Sequence, residues 1–221
     1  MVRPGCQTDA MSPAADQTMF PHPVLRGDAG PDGGFDLVRF EGTDLSRGHL
    51  EGISFLECAL VGCTLDDVHL ESSRWSECTW DRVGGVGVVL ASASLADVTI
   101  DGCRLAAVSA WGSTWRDVTV RGGKIDFLDL RGATLTDVQF VDCVVTELDL
   151  GESTVAGLSF DGCTLVEPQF SRGSYAAVDL SGATLRSPRG VASLKGATVS
   201  RVQLIELAEH LAVELGIHVA D

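Results

Sequence analysis

The sequence predicts an all-β solenoid followed by a short C-terminal helix. Three patterns support this prediction: an apolar residue at nearly every fifth position, similar five-residue units that recur twenty positions apart, and helical spacing of apolar residues near the C-terminus. A helix has a period of about 3.6 residues and a strand a period of about 2, so neither accounts for the first pattern. A period of five indicates instead a chain that turns one large side chain inward in each unit and then bends.

The five-residue period runs without a slip from Phe35 to Leu185, and its two weak positions are Gly85 and Ala110. Two positions before each of these residues, the chain prefers a small or β-branched side chain. One large and one small inward residue per unit would fill a narrow tube, while the remaining, mostly polar positions suit solvent. Ala110 stands beside the bulky Trp115, and we expect this pairing to conserve core volume.

Similar units recur at twenty residues, which indicates that four units complete one coil. The segment Gly-Cys-Thr-Leu ends at both Leu65 and Leu165, and Asp-Val-Thr ends at both Thr99 and Thr119. Coils of this size would number about eight, and at ~4.8 Å per coil they would form a rod about 35–40 Å long.

These units resemble the pentapeptide-repeat family, whose pattern is a small residue, a polar residue, Leu or Phe, and two variable residues. Residues 133–137 (Ala-Thr-Leu-Thr-Asp) and 183–187 (Ala-Thr-Leu-Arg-Ser) are typical matches. The resemblance implies a right-handed quadrilateral β-helix with four units per coil. Quinolone-resistance and toxin-immunity members of the family act on DNA gyrase as DNA mimics, whereas many members have no known role. Some resistance members need loops that interrupt the coils, and the unbroken register here argues against a loop-dependent mechanism.

The chain divides into three predicted segments. Residues 1–34 hold five of the seven prolines and are expected to form a flexible tail. Residues 35–190 form the β-helix, and residues 191–221 form a C-terminal segment whose helix starts with a capping box at Ser200 and Gln203 and stops at Gly216. Because an open solenoid end exposes unpaired backbone, this helix is expected to cap the coil.

The same helix carries an apolar stripe, and in related pentapeptide-repeat proteins such a helix pairs two rods tail to tail. The resemblance therefore implies a homodimer. The stripe consists of Leu204, Leu207, Ala208, Leu211 and Leu215.

Composition predicts a soluble, cytoplasmic protein. The net charge is −15 with 45% hydrophobic residues, and no apolar run approaches the ~20 residues of a membrane span. The N-terminus lacks the apolar segment of a signal peptide. Six of the seven cysteines take the small inward position, which predicts buried thiols in a reducing compartment rather than disulfides or metal ligands.

The sequence shows no catalytic pattern, so we predict neither an enzyme nor a cofactor. The five histidines are scattered, and no serine or cysteine lies in a nucleophile motif. No glycine-rich phosphate loop precedes a helix.

The informative chemistry is the arrangement of acidic residues. With a period of twenty, one acidic residue per coil falls on a single outward column, and the segment between Arg131 and Arg172 contains acidic but no basic residues. The column consists of Glu57, Glu77, Asp97, Asp117 and Asp137. The acidic belt consists of Asp137, Asp142, Glu147, Asp149, Glu152, Asp161 and Glu167.

Two interpretations of this acidity remain open. In the first, the rod presents a duplex-like negative field to a protein with a basic DNA-binding groove, such as DNA gyrase. Such a rod would not bind nucleic acid itself, because both are polyanions. In the second, the chain is a scaffold that binds another protein through its flat sides, and the acidity serves solubility. A continuous negative stripe favours the first, and a stripe broken by basic residues favours the second. The relevant basic residues are Arg74, Arg104, Arg116, Arg121 and Lys124.

Two further features of the sequence are a repeated His–Glu pair and an outward tryptophan. His49 and Glu51 recur twenty residues later as His69 and Glu71, so the four side chains should cluster on adjacent coils. Such a group could ligate a divalent metal, but we interpret it as a solvated patch and predict no metal site. Trp111 takes an outward position, where it either is exposed or lies under a flanking segment.

Overall fold

The computed structural model describes residue 30 and residues 33–218. The tail predicted for residues 1–34 therefore lies almost entirely outside the described residues. The described chain is a right-handed quadrilateral β-helix of about eight coils with one short C-terminal helix, which confirms the predicted fold.

Sixteen strands form one continuous parallel sheet that winds around the coil. Strands are short in the first coils and fuse across corners in later ones, so that β15 and β16 each span three sides. The strands are β1 Gly34–Asp36, β2 Arg39–Glu41, β3 Ser54–Leu56, β4 Ala59–Val61, β5 Arg74–Ser76, β6 Thr79–Asp81, β7 Gly84–Gly85, β8 Val88–Val89, β9 Ser94–Asp101, β10 Arg104–Ser109, β11 Thr114–Arg121, β12 Lys124–Asp129, β13 Thr134–Val141, β14 Val144–Asp149, β15 Thr154–Val166 and β16 Ser174–Arg186.

Neighbouring coils pair in a register of twenty residues, as the repeat predicts. Phe35 lies opposite Phe55, which lies opposite Trp75 on the next coil. The coil has four sides, which we number from the inward residue at the centre of each. The first side is centred on Phe35 and Phe55, the second on Phe40 and Leu60, the third on Leu45 and Leu65, and the fourth on Leu50 and Leu70.

Corners between sides are turned by a residue in the left-handed region, two positions after an inward residue. This conformation disfavours most side chains, whereas glycine adopts it freely and Asp and Asn tolerate it better than most. Gly42, Gly62, Gly102 and Gly122 occupy the corner between the second and third sides, with φ from 57° to 60°. Three corners between the third and fourth sides differ, because Ala107, Phe127 and Glu147 lie within β10, β12 and β14 and are not left-handed. A left-handed residue two positions after an inward residue therefore ends most sides of the coil.

The interior is a single apolar column in which large residues of adjacent coils stack. The ring of Phe55 lies 3.8 Å from that of Trp75, almost parallel at 7°, and Trp80 meets Trp75 edge-on at 5.0 Å. Both weak positions of the repeat are buried. At Gly85 an added Cβ would come within 2.9 Å of the Leu65 carbonyl oxygen, so no larger residue fits there without a shift.

We expect Ala110→Leu to lower the free energy of unfolding by roughly 1–3 kcal/mol through overpacking. Ala110 is completely buried, so extra methyl groups must displace neighbouring core side chains. Ala156→Leu is the matched control, because the same change falls on an exposed outward position of β15. Urea unfolding of both variants measures the difference. Equal stability of the two variants would show that the core beside Ala110 has room for a larger residue.

The C-terminal end of the coil is closed by a 3₁₀ helix, Val191–Ser193, and by helix α1, Arg201–Glu214. The predicted capping box is present at the start of α1, and Gly216 follows its end with φ of 69°. Buried Gln203 uses its side-chain amide to donate hydrogen bonds to the carbonyl oxygens of Leu180 and Ala183, at 2.6 and 2.7 Å. The helix thereby satisfies backbone groups that the last coil would leave unpaired.

The carboxylate of Glu214 provides a second closure. It accepts hydrogen bonds from the backbone N–H groups of Gly190, Val191 and Ala192 at 2.6 to 3.1 Å. A negative charge is stabilising at free N–H groups that start a helical turn. The end of α1 is therefore tied back to the start of the 3₁₀ helix.

Candidate protein-interaction surface

The predicted acidic column forms the corner between the first and second sides. Its members, Glu57, Glu77, Asp97, Asp117 and Asp137, are all exposed and all left-handed, with φ between 51° and 55°. We call these five residues the acidic corner. Backbone hydrogen bonds connect successive coils directly at this corner, as from Glu57 N–H to the Ser76 carbonyl at 2.9 Å. The column thus brings one carboxylate per coil onto one edge over five consecutive coils.

Backbone conformation alone does not require acidic residues at this corner. The corner between the second and third sides solves the same conformational problem mainly with glycine, and the corner between the fourth and first sides uses Gly52, Ser72, Ser92, Gly112 and Gly132. A preference for Asp in the left-handed region accounts for Asp97, Asp117 and Asp137 in part, but not for the two glutamates. The concentration of acid on one corner therefore needs a reason other than the turn.

A second acidic row lies at the far end of the second side and was missed by the sequence analysis. It contains Glu41, Asp81, Asp101 and Asp161, which occupy equivalent positions in the coil register. Asp97 and Asp101 are four residues apart, so the two rows are separated by about 13 Å along the strand direction. Thr79, Thr99 and Thr119 lie between the rows. The sequence does contain this row, because each of its acids follows directly after the inward residue of the second side and recurs at multiples of twenty.

Of the five basic residues that could break the acidic stripe on the second side, two do so. Arg116 lies between two members of the acidic corner, 3.9 Å from the Asp97 carboxylate and 3.8 Å from that of Asp117. Arg121 takes a position in the second row, in register with Asp101. Arg104 and Lys124 lie opposite each other on neighbouring strands of the third side, and Arg74 is exposed on the first side, so none of these three lies on the acidic side. Two more arginines pair with members of the second row, Arg39 with Glu41 at 3.5 Å and Arg82 with Asp81 at 2.7 Å. The second side is therefore predominantly acidic, but basic residues contact it near its N-terminal end as well as near its middle.

The acidic belt contains no basic residue along the sequence, but arginines from neighbouring positions contact it in space. Arg131 lies 3.8 Å from Asp149, Arg172 lies 3.1 Å from Glu152, and Arg189 pairs with Glu167. These contacts form on the fourth side and at its two corners. Within the described part of the chain, no ion pair involves the remaining belt residues Asp137, Asp142, Glu147 and Asp161. The free acidity of the belt is thus smaller than its sequence suggests.

The fourth side carries a different surface, built around Trp111. Its indole is 50% exposed and borders an open depression of about 530 Å³ that Arg131, Glu152 and Arg172 also line. Trp111 is thus exposed, one of the two alternatives left by the sequence. Arg131 is held by two hydrogen bonds, 2.6 and 2.9 Å long, to the buried carboxylate of Asp129. Burial alone would raise the pKa of Asp129, but the hydrogen bonds from Arg131 hold it below its ordinary value.

The cysteines that follow the repeat are buried free thiols. Cys58, Cys63, Cys78, Cys103, Cys143 and Cys163 all lie in the core as unpaired residues. Burial raises the pKa of Cys103 to about 11, so this thiol stays protonated and unreactive at neutral pH. Cys6 lies outside the described residues.

Among the described residues, no helix is long and apolar enough to cross a bilayer.

The predicted apolar stripe on α1 is only partly exposed. Leu204, Ala208 and Leu215 are exposed, Leu211 is half-buried, and Leu207 is buried against the coil.

Neither a protein-family model nor a curated protein matches the chain. Among solved structures, a trypsin-treated form of QnrB1, a plasmid-mediated fluoroquinolone resistance protein, matches with a TM-score of 0.48 and 13% identity, over 85% of this chain and 92% of that one. HetL, a pentapeptide-repeat protein involved in heterocyst differentiation regulation from the cyanobacterium Nostoc sp. strain PCC 7120, matches with a TM-score of 0.31 and 15% identity, over 74% of this chain and 87% of that one.

At these values the matches carry no inference about partners. The architecture follows instead from the chain's own features, which are inward residues at every fifth position, twenty-residue register between coils and a left-handed residue at the corners. By its repeat and by the quadrilateral coil that the repeat builds, the chain has the fold of a pentapeptide-repeat protein.

Proposed function

We propose that this chain is a non-enzymatic protein-binding module whose second side imitates the charge of a DNA duplex. Its partner is a protein with a basic DNA-binding groove, and DNA gyrase or a related type II topoisomerase is the candidate that the family resemblance suggests. The observation that carries the proposal is the acidic corner. Five consecutive coils place a carboxylate on one edge where glycine or serine serves equally well at other corners.

The acidic corner is unfavourable for folding, which supports a selected role. Coils repeat at about 4.8 Å, so carboxylates on neighbouring coils repel one another, and like charges directly opposite each other destabilise a sheet. Exposure to salt reduces this repulsion without removing it. Because this pattern lowers stability on five successive coils, a binding partner explains it better than folding stability does.

The shape of the second side suits an electrostatic partner. Two rows of carboxylates about 13 Å apart flank a flat column of threonines, so the charge follows a straight rod rather than a compact patch. A basic groove that holds a straight polyanion would meet complementary charge along its length. Direct binding to DNA is not expected, because two polyanions repel.

A supercoiling assay tests the proposal. Gyrase would be titrated with the full-length protein up to tens of micromolar, with relaxed plasmid as substrate, in the presence and in the absence of a quinolone. We expect supercoiling, or the quinolone-stabilised cleavage complex, to change in proportion to the protein added. An assay in which neither product changes over the whole range would contradict the proposal.

We further propose that two chains associate through the exposed side of α1. Leu204, Ala208, Leu211 and Leu215 recur at three- and four-residue spacing and so share one face of the helix. Leu204 and Leu215 are 54% and 63% exposed, which is unusual for large apolar residues on so acidic a protein. Leu207 faces the coil instead, so its role is to hold α1 against its own rod.

Replacing Leu204 with Glu is expected to convert the dimer to a monomer, because it places a charge within the apolar face. Val213→Glu is the matched control, since Val213 is also exposed but lies on the opposite side of the same helix. Sedimentation velocity at micromolar concentration measures the mass of each variant. A monomeric wild-type protein would contradict the proposed dimer. If both variants were monomeric, the contact would not be specific to the face that carries Leu204.

The alternative function is a scaffold that binds another protein through the fourth side. The exposed indole of Trp111 favours it, because Arg131 and Arg172 line the same depression and Trp and Arg are enriched at the energetic centres of interfaces. The two functions are distinguished by which surface matters. If Trp111→Ala abolishes an effect on gyrase that neutralisation of the acidic corner leaves intact, the scaffold is the better description.

A further inference from the structure

The first coils of the fourth side carry a group of side chains that the proposed function does not use. His49 and His69 lie opposite each other on adjacent coils, and their rings stack with centroids 4.9 Å apart at an angle of 12°. Each Nδ1 lies 3.1 Å from an Oε1 of the glutamate two residues later, which is Glu51 for His49 and Glu71 for His69. Two His–Glu pairs therefore lie parallel, one coil apart.

Three members of this group can present ligand atoms to a common point. A ring nitrogen of His69 and one carboxylate oxygen each from Glu51 and Glu71 all lie within 4.8 Å of one another. In a tetrahedral zinc site with ligand bonds of about 2.0–2.1 Å, ligand atoms are about 3.4 Å apart. All three side chains are long enough, and exposed enough at 34% to 41%, to close that difference by rotation.

A second observation points to a cation. The Oε2 atom of Glu71 is buried and accepts no hydrogen bond from the described residues. A carboxylate oxygen withdrawn from water without a donor is costly, and such an atom in a native structure needs an explanation. A cation beside His69 and Glu51 would supply the missing partner.

The charge of the group suits a divalent ion. Glu51 and Glu71 each bring a carboxylate, and oxygen ligands of this kind suit divalent cations. On the next coil, the equivalent positions are Val89 and Ala91, which offer no ligand. The donor set is therefore one imidazole and two carboxylates, with His49 beside it.

We propose that His69, Glu51 and Glu71 form a binding site for a divalent transition metal such as Zn²⁺. Imidazole nitrogen and carboxylate oxygen are ordinary zinc ligands, and three protein ligands leave one position for water. The role of His49 is to orient Glu51 through their hydrogen bond, as second partners commonly do around bound metals. The site joins the side chains of two successive coils near the N-terminal end of the rod.

Isothermal titration calorimetry of the full-length protein with ZnCl₂ at neutral pH, under a non-chelating reductant, tests the site. We expect one Zn²⁺ per chain and a melting temperature that rises with Zn²⁺ concentration. His69→Gln and Glu71→Gln should each weaken binding by roughly tenfold or more. His218→Gln is the matched control, because it removes an exposed imidazole elsewhere and should leave binding unchanged.

Circular dichroism establishes that each variant is folded before its affinity is compared. X-ray absorption at the zinc edge provides the second measurement, and nitrogen and oxygen neighbours without sulfur are expected. Absence of binding by the wild-type protein at high micromolar Zn²⁺ would overturn the proposal. Unchanged affinity in both site variants, or sulfur in the absorption spectrum, would also overturn it by placing the ion at another site.

Discussion

Replacing Trp75 with Ala is expected to lower the free energy of unfolding by about 3–5 kcal/mol. Trp75 is only 2% exposed, and its ring stacks on Phe55 and meets Trp80 edge-on. Its indole N–H also donates a 2.9 Å hydrogen bond to the Ser73 hydroxyl, which itself donates to the Leu70 carbonyl. The substitution therefore opens a large cavity in the middle of a coil and removes a polar contact inside the core.

Chemical denaturation monitored by circular dichroism measures this loss. Trp111→Ala is the matched control, because it removes the same side chain from an exposed position and should change stability by no more than about 0.5 kcal/mol. In a solenoid each coil contacts only its neighbours, so the damaged coil can unfold before the rest. A broadened or two-step transition in the Trp75 variant would agree with this, whereas equal stability of the two variants would contradict the stacked core.

Neutralising the acidic corner is expected to reduce the effect on gyrase by at least about tenfold. The variant combines Glu57→Gln, Glu77→Gln, Asp97→Asn, Asp117→Asn and Asp137→Asn. Each change keeps the size of the side chain, and Asn tolerates the left-handed conformation that the three aspartates adopt. Only charge is altered, so the variant should fold about as well as the wild-type protein, since relief of repulsion between coils offsets the loss of the exposed contacts of Arg116 with Asp97 and Asp117.

A control with the same change in net charge isolates the position of the charge from its amount. It neutralises five acids outside the second side: Asp66, Asp67, Asp126, Glu206 and Glu209. We expect this control to retain the effect on gyrase, and the wild-type effect to weaken as salt concentration rises. If both variants lose activity equally, net charge rather than the acidic corner drives binding. If neither loses activity, the DNA-like surface is the wrong explanation.

Most of the fold could be predicted because its causes are local and repeated. Inward residues at every fifth position, small residues two positions earlier and the capping box at Ser200 each depend on spacing along the chain. The left-handed corner residues were not predicted as such, because the sequence places Glu, Asp, Ser, Arg and Gly alike at these positions. Their conformation is imposed by the coil and not by the preference of each residue.

The cap illustrates what spacing along the chain leaves open in a helix that it locates correctly. Helical spacing placed Leu207 in one apolar stripe with Leu204, Ala208, Leu211 and Leu215, yet Leu207 is buried against the coil. Gln203, which spacing alone identifies only as part of a capping box, also reaches into the open end of the rod and binds two carbonyl groups there. Which side of a helix docks depends on the shape and unpaired groups of its neighbour, and these exist only once the coil has formed.

On the surface, too, some features follow from spacing along the sequence and others from contacts between coils. Spacing of twenty was sufficient to derive the acidic corner, because its members follow the coil period. The belt, in contrast, looks purely acidic in sequence but receives Arg131, Arg172 and Arg189 from other coils. The unpaired oxygen of Glu71 likewise depends on three-dimensional packing. Periodicity thus establishes the rod, its core and one column of charge. Which charges remain free was settled by packing, because side chains pair with neighbours one coil away whose reach and burial no linear pattern encodes.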